Sequence, residues 1–127
     1  MTREAISTAN APAAVGPYSQ AIVAGDLVFC AGQIPLDPAT GEITGSTIEE
    51  QTERVLRNVG AVLDAAGVTF ADVVKTTVFM ADLGEFTAMN GVYAGFFPEP
   101  PPARSTFGVA ALPRGAKVEI ECIARRP

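Results

Sequence analysis

The stretch Ser46-Thr47-Ile48-Glu49-Glu50-Gln51-Thr52, continued through Val55-Leu56, Val59, Val62-Leu63 and Ala66 to Gly67, decides the kind of fold this chain takes. Ile48, Thr52, Val55, Leu56, Val59, Val62, Leu63 and Ala66 recur at helical spacing and share one face. Ser46 with Glu49, or Thr47 with Glu50, supplies a capping box at the start. Gly67 ends the helix. Val73 to Met80 then turns to branched side chains, the signature of a strand. A long amphipathic helix handing over to such a strand implies helices layered on a sheet.

Toward the N-terminus, Glu4 to Ser7 reads as a short strand and Ala9 to Pro17 as a loop closed by Gly16-Pro17. Tyr18 to Ala24 reads as a strand, and Gly25-Asp26 as a hairpin turn. Leu27-Val28-Phe29-Cys30-Ala31 is a continuous apolar run, expected to be buried on both faces. Gly32-Gln33-Ile34-Pro35 leaves it, and Asp37 to Gly41 is a turn. Toward the C-terminus, Asp82 with Glu85 caps a second helix whose buried stripe is Phe86, Met89, Tyr93, Phe96 and Phe97. Met89, Phe96 and Phe97 are assigned to the core. Pro98 to Pro102 is a stiff connector, and Ala103 to Val109 and Ala116 to Ala124 are the closing strands. The order β-β-β-α-β-α-β-β gives an α+β fold, with two helices packed on one face of a mixed or mainly antiparallel sheet, in a single domain over residues 1–127.

Composition excludes several kinds of function. The chain has 127 residues and a formal net charge of −5, with basic residues scattered apart from Arg125-Arg126. A non-specific phosphate binder needs a basic face, so nucleic acid is not expected as a partner. No apolar run is long enough to span a membrane, and Met1-Thr2-Arg3-Glu4 does not open a secretory signal, so a cytoplasmic protein is expected. Histidine is absent, which removes the usual general base and the commonest metal ligand. Cys30 and Cys122 are the only cysteines and read as buried free thiols. Any catalysis therefore uses carboxylates, Arg, Lys, Tyr, backbone groups and water.

Two C-terminal segments carry that chemistry. In Lys117-Val118-Glu119-Ile120-Glu121-Cys122, the residues Val118, Ile120 and Cys122 take one strand face and Lys117, Glu119 and Glu121 the other. After Pro101-Pro102-Ala103, a second alternation sets Arg104, Thr106 and Gly108 against Ser105, Phe107 and Val109. If the two strands are neighbours, a guanidinium and a carboxylate face the same space. The first can grip a small carboxylate through two hydrogen bonds, and the second can move a proton to or from water. On the residues alone a solvated surface ion pair is the favoured reading, since most exposed ion pairs are incidental. The sheet face away from the helices is expected to carry Lys75, Thr77, Arg104, Lys117, Glu119 and Glu121 among Phe79 and Val73, with Lys75 pairing Glu119 or Glu121. A half-apolar face of this kind calls for a partner subunit.

In order and spacing, the chain resembles the RidA (YjgF/UK-type) family of reactive-intermediate deaminases nearly end to end. The resemblance is carried by Asn10-Ala11-Pro12-Ala13-Ala14-Val15-Gly16-Pro17-Tyr18-Ser19-Gln20-Ala21, Ala31-Gly32-Gln33-Ile34-Pro35, Val74-Lys75-Thr76-Thr77-Val78-Phe79, Asn90-Gly91-Val92-Tyr93, Pro102-Ala103-Arg104-Ser105 and the Lys117 to Glu121 strand. It implies a chorismate-mutase-like fold and a homotrimer with sites in clefts between subunits. It also implies hydrolysis of 2-imino acids, such as 2-iminobutanoate and 2-iminopropanoate, to 2-keto acids and ammonia with no metal or cofactor.

Carried over by residue, the resemblance makes Arg104 the carboxylate anchor and Glu119 the group that positions or activates water. Tyr18, Ala31, Gly32, Phe86, Asn90 and Thr106 fall at pocket positions. Ala31 stands where many active members have serine, and Thr106 where many have cysteine. Both changes bear on substrate and rate. Three other readings compete: a trimeric 2-keto acid binding protein without turnover, a related deaminase of one degradation pathway, and a ribonuclease. The acidic composition and missing histidine argue against the last.

Overall fold

The computed structural model describes residues 2–127. Its strands are β1 (Arg3–Ile6), β2 (Ala21–Ala24), β3 (Leu27–Gln33), β4 (Val73–Met80), β5 (Ala103–Gly108) and β6 (Val118–Arg125), and its helices are α1 (Ile48–Ala65) and α2 (Phe86–Tyr93). The expected element order holds, and the strands form one six-stranded sheet in the order β1-β2-β3-β6-β4-β5. Only β4 and β5 run parallel; every other neighbouring pair is antiparallel.

Helix α1 is capped by Thr47. Its hydroxyl accepts from the Glu50 amide at 3.2 Å, and the Glu50 carboxylate accepts from the Thr47 amide at 3.2 Å. Val55, Leu56, Val62 and Leu63 have no exposed surface and press on Val28, Val118 and Ile120 of the sheet. Each such side chain contributes roughly 1.5–3 kcal/mol through burial. Gly67 takes the left-handed conformation at φ 78° that ends the helix.

Buried polar residues on α1 also reach the segments around the sheet. The Asn58 amide donates to the carbonyls of Ile34 and Leu36 at 3.1 and 2.9 Å. The Gln51 amide donates to the Gly45 carbonyl and accepts from the Lys117 amide. Cys30 and Cys122 are free, buried, and opposite each other in the β3–β6 register.

Several expectations need correction. Tyr18 to Gln20 lie outside β2. Gly16 at φ 130° and the bond from the Tyr18 amide to the Gly16 carbonyl bend that segment into a turn. β3 is buried on one face only, because Phe29 on the other is 43% exposed. Phe96 and Phe97 lie beyond the end of α2 but still pack on the core, as does Met89. Val73 is buried among the core residues, not on the open face. Lys75 pairs with neither Glu119 nor Glu121; its ammonium donates to the Thr76 carbonyl and the Thr77 hydroxyl. Lys117 pairs with Glu85 at 3.6 Å.

Candidate active site

The strands bearing Arg104 and Glu119 are not neighbours: β4 lies between β5 and β6. Arg104 stands opposite Thr76, and Glu119 opposite Phe79. Thr76 is fully buried on the helix side, while Phe79 stacks on the half-exposed Phe107 on the open side. Within one chain the guanidinium and the carboxylate therefore leave the sheet on opposite faces. This corrects the expected placement of Arg104 on the open face, and it divides the candidate residues into two clusters.

The first cluster surrounds Glu119 on the open face. It lines a cavity of about 630 Å³ walled by the loop from Pro12 to Tyr18, the end of β3 with Ile34 and Leu36, the turn at Pro113-Arg114, and Glu119 with Glu121. Gly32 lies directly against Glu119, so a Cβ there would run into the carboxylate. The glycine is thus what lets the Glu119 side chain lie flat over β3. Burial, and then the nearby charge of Glu121, raise the Glu119 carboxyl above its ordinary range.

Tyr18 is half exposed at the cavity mouth, and its hydroxyl accepts from the Val15 amide at 3.2 Å. Ala31 lines the cavity, and its amide donates to the Gln20 carbonyl at 3.0 Å. Gln20 is absent from the sequence candidates, yet its buried amide holds the loop in place. It donates to the carbonyls of Thr8 and Pro12 and accepts from the Thr8 amide at 2.7 Å. A glutamine beside a glycine- and proline-rich loop is the signal that points to it, since such a loop needs side-chain partners for its backbone.

The second cluster surrounds Arg104 on the helix side. Its guanidinium donates to the Asn90 side-chain oxygen at 2.7 Å. It lies 4.8 Å from the ring centre of Tyr93 and 5.4 Å from that of Phe86. Phe86, Asn90 and Tyr93 share one face of α2 at helical spacing. The Tyr93 hydroxyl bonds the buried Thr76 hydroxyl at 2.7 Å, which fixes the ring under the guanidinium. Arg104 has no carboxylate partner among the described residues, which leaves donors on its fork for a ligand. Thr106 shares its face two residues on, with a buried hydroxyl that has no hydrogen-bond partner among the described residues.

Phe86, Asn90, Arg104 and Thr106 thus belong to one cluster, and Tyr18, Ala31, Gly32 and Glu119 to the other. No group of three or more acidic, Cys or His side chains among the described residues could hold a metal ion. No helix among them is long and apolar enough to cross a membrane.

A six-stranded mixed sheet under two helices, with a guanidinium lacking a carboxylate partner on one face and a partly buried carboxylate on the other, defines a small α+β protein. The chain belongs to the RidA (YjgF) family: residues 8–126 match the family model described as endoribonuclease L-PSP. It is 55% identical over 122 residues to Reactive Intermediate Deaminase A, chloroplastic, of Arabidopsis thaliana, covering 96% of this chain and 65% of the plant protein. It is 44% identical over 124 residues to the human 2-iminobutanoate/2-iminopropanoate deaminase, covering 98% and 90% of the two chains. The crystal structure of E. coli TdcF with bound serine superposes with a TM-score of 0.93 at 45% identity, covering 98% of this chain and 99% of that one.

Proposed function

We propose that this protein is a cofactor-free hydrolytic deaminase of 2-imino acids of the 2-iminobutanoate and 2-iminopropanoate type, working as a homotrimer with sites shared between copies. The observation that carries this reading is the division of the candidate residues between two sheet faces. Neither half holds the whole set: the Arg104 half has an anchor but no base, and the Glu119 half has a carboxylate and, of cations, only Arg114 on the Leu36 side of its cavity. A second copy brings the halves together. The open face, with Phe29 and Phe107 43% and 52% exposed, offers apolar surface for that contact. A family neighbour crystallised with serine, itself an α-carboxylate, supports a ligand of this class.

In the reaction, Arg104 grips the α-carboxylate through two charge-assisted bonds, with its plane set by Asn90, Phe86 and Tyr93. The iminium carbon is already electrophilic, so water needs placement and modest base help. Glu119 takes a proton from the attacking water and returns it to the departing nitrogen. Iminium and water thereby become 2-keto acid and ammonium. Its raised proton affinity suits both directions of transfer.

Subunit mixing tests the reading. Arg104→Ala and Glu119→Gln should each be inactive on imines formed in situ from 2-aminobutyrate. Dissociated and reassembled together, they should regain activity at about a quarter of sites, where two intact halves meet. No recovery, with mixed assembly confirmed by mass, would count against shared sites. A second reading is a 2-keto acid binding protein without turnover. It is favoured by the Ala31 amide being committed to Gln20, which leaves one fewer group to polarise an imine. Tight binding of 2-oxobutanoate with no imine hydrolysis would select it.

A further inference from the structure

The cavity beside Glu119 extends past the reacting centre to a cation that the mechanism above does not use. Its lining runs from Ala31 and Gly32 of β3 to Ile34 and Leu36 in the segment that follows the strand. Tyr18 belongs to the Ala31 end, where the Ala31 amide meets the Gln20 carbonyl. Glu119 stands at Gly32, in the middle. Arg114 belongs to the Leu36 end: its guanidinium donates to the Gly41 carbonyl at 3.1 Å, on the turn that Leu36 and Ile43 close by pairing. Ile34, Leu36 and Pro113 give the same cavity apolar lining.

Among the described residues, Arg114 is the only cation lining this cavity, which otherwise carries the two carboxylates Glu119 and Glu121. Its backbone is left-handed at φ 60° and is followed by Gly115 at φ 69°. Two such residues in a tight turn favour Asn-Gly, and a long side chain at the first position costs stability. Its local partners are weak competitors for a ligand. Glu42 is 3.7 Å away, and the two side chains are 76% and 50% exposed, Glu42 being the more open. The fork keeps donors free for a second anion.

We propose that Arg114 is an anion anchor at the far end of this cavity, and that the protein accepts 2-imino acids whose side chain ends in a second carboxylate. The inference rests on the deaminase reading for where the imine sits. With the imine carbon at Glu119, a short alkyl side chain has only the apolar lining of Ile34, Leu36 and Pro113 to meet. A longer side chain that ends in a carboxylate supplies the cation with the partner that an alkyl chain lacks. The reaction is otherwise unchanged: water adds at the iminium carbon, the C–N bond breaks, and ammonium leaves.

The test compares full-length wild type, Arg114→Gln and Arg114→Lys on imines made in situ by amino-acid oxidases from 2-aminobutyrate and from glutamate. Calorimetric binding of 2-oxobutanoate and 2-oxoglutarate is measured in parallel. Arg114→Gln should lower the ratio of kcat/KM for the dicarboxylic over the monocarboxylic imine about tenfold, with Arg114→Lys restoring part of it. An unchanged ratio, or a wild type that hydrolyses the monocarboxylic imine yet neither hydrolyses nor binds the dicarboxylic series, overturns the proposal. If no imine is hydrolysed, the deaminase reading fails separately. The anchor then stands only if Arg114→Gln weakens 2-oxoglutarate binding about tenfold relative to 2-oxobutanoate, and equal weakening of both overturns it.

Discussion

Arg104 and Glu119 leave opposite faces of one sheet, two strands apart, with β4 bonded to both of their strands. No rotation of either side chain brings them to one small ligand, because a continuous hydrogen-bonded strand stands between. The separation makes the proposed chemistry a property of the assembly. Taken with the trimer that the family resemblance implies, the shared-site proposal predicts a trimer mass by light scattering after size exclusion at micromolar concentration. A monomer would remove the shared-site model.

Arg104→Ala should abolish imine hydrolysis while leaving the melting temperature near that of wild type, since the guanidinium is partly exposed and its partners lie on α2. The lost two-pronged contact is worth on the order of 3 kcal/mol in the transition state, or more than a hundredfold in kcat/KM. Arg104→Lys should also be poor, because an ammonium cannot reproduce the fork. Steady-state kinetics on both variants decides it, and wild-type rates would put the anchor elsewhere.

Tyr93 should act on substrate affinity through Arg104. Tyr93→Phe keeps the ring under the guanidinium but leaves the buried Thr76 hydroxyl without its partner, at a cost of about 1–3 kcal/mol in stability. Tyr93→Leu also removes the ring, and should raise KM further than Tyr93→Phe does. Equal KM values for the two variants would show that the ring does not orient Arg104.

Gly32→Ala should fold, since Gly32 does not occupy the left-handed region, yet lose turnover because the added Cβ takes the place of the Glu119 carboxylate. A fall of about ten- to a hundredfold in kcat is expected, with a smaller change in the affinity for 2-oxobutanoate. Unaltered kcat would mean that Glu119 works from another rotamer or does not work at all.

Glu119 also gives a pH signature. Burial and the Glu121 charge raise its carboxyl above the ordinary 4.5, so the folded chain holds this proton more tightly than the unfolded chain does. That gain in stability is full below about 4.5 and is lost as pH rises through the raised folded value. Glu119→Gln removes the titration, so thermal melts from pH 4 to pH 8 should show the variant gaining on wild type as pH rises. A constant difference across that range would show that the carboxyl is not desolvated. Glu121→Gln should move the acid limb of the rate profile to lower pH, by removing the neighbouring charge.

The sequence by itself settled whatever depends on local periodicity. The Thr47–Glu50 cap and apolar stripe of α1, the branched run of β4, the Gly25-Asp26 hairpin and the alternation within β5 and β6 are all written into near-neighbour spacing. The stripe of α2 was legible only in part: Met89 and Tyr93 are buried as expected, whereas Phe86, placed on the same buried stripe, is exposed and faces Arg104. Contacts between residues far apart in the chain were not legible in the same way: Gln20, Gln51 and Asn58 hold the walls of the site through bonds to distant segments. Strand order belonged to tertiary structure too. Alternation shows which residues share a face of their own strand, but not which face of the sheet that is or which strand lies alongside. The parallel crossover through α2 sets β5 outside β4, and that placement turned Arg104 toward the helices and left Glu119 on the open side. The reason is physical: pairing order is chosen by how α1 and α2 bury their apolar stripes against the whole sheet, a cooperative outcome that no single segment encodes.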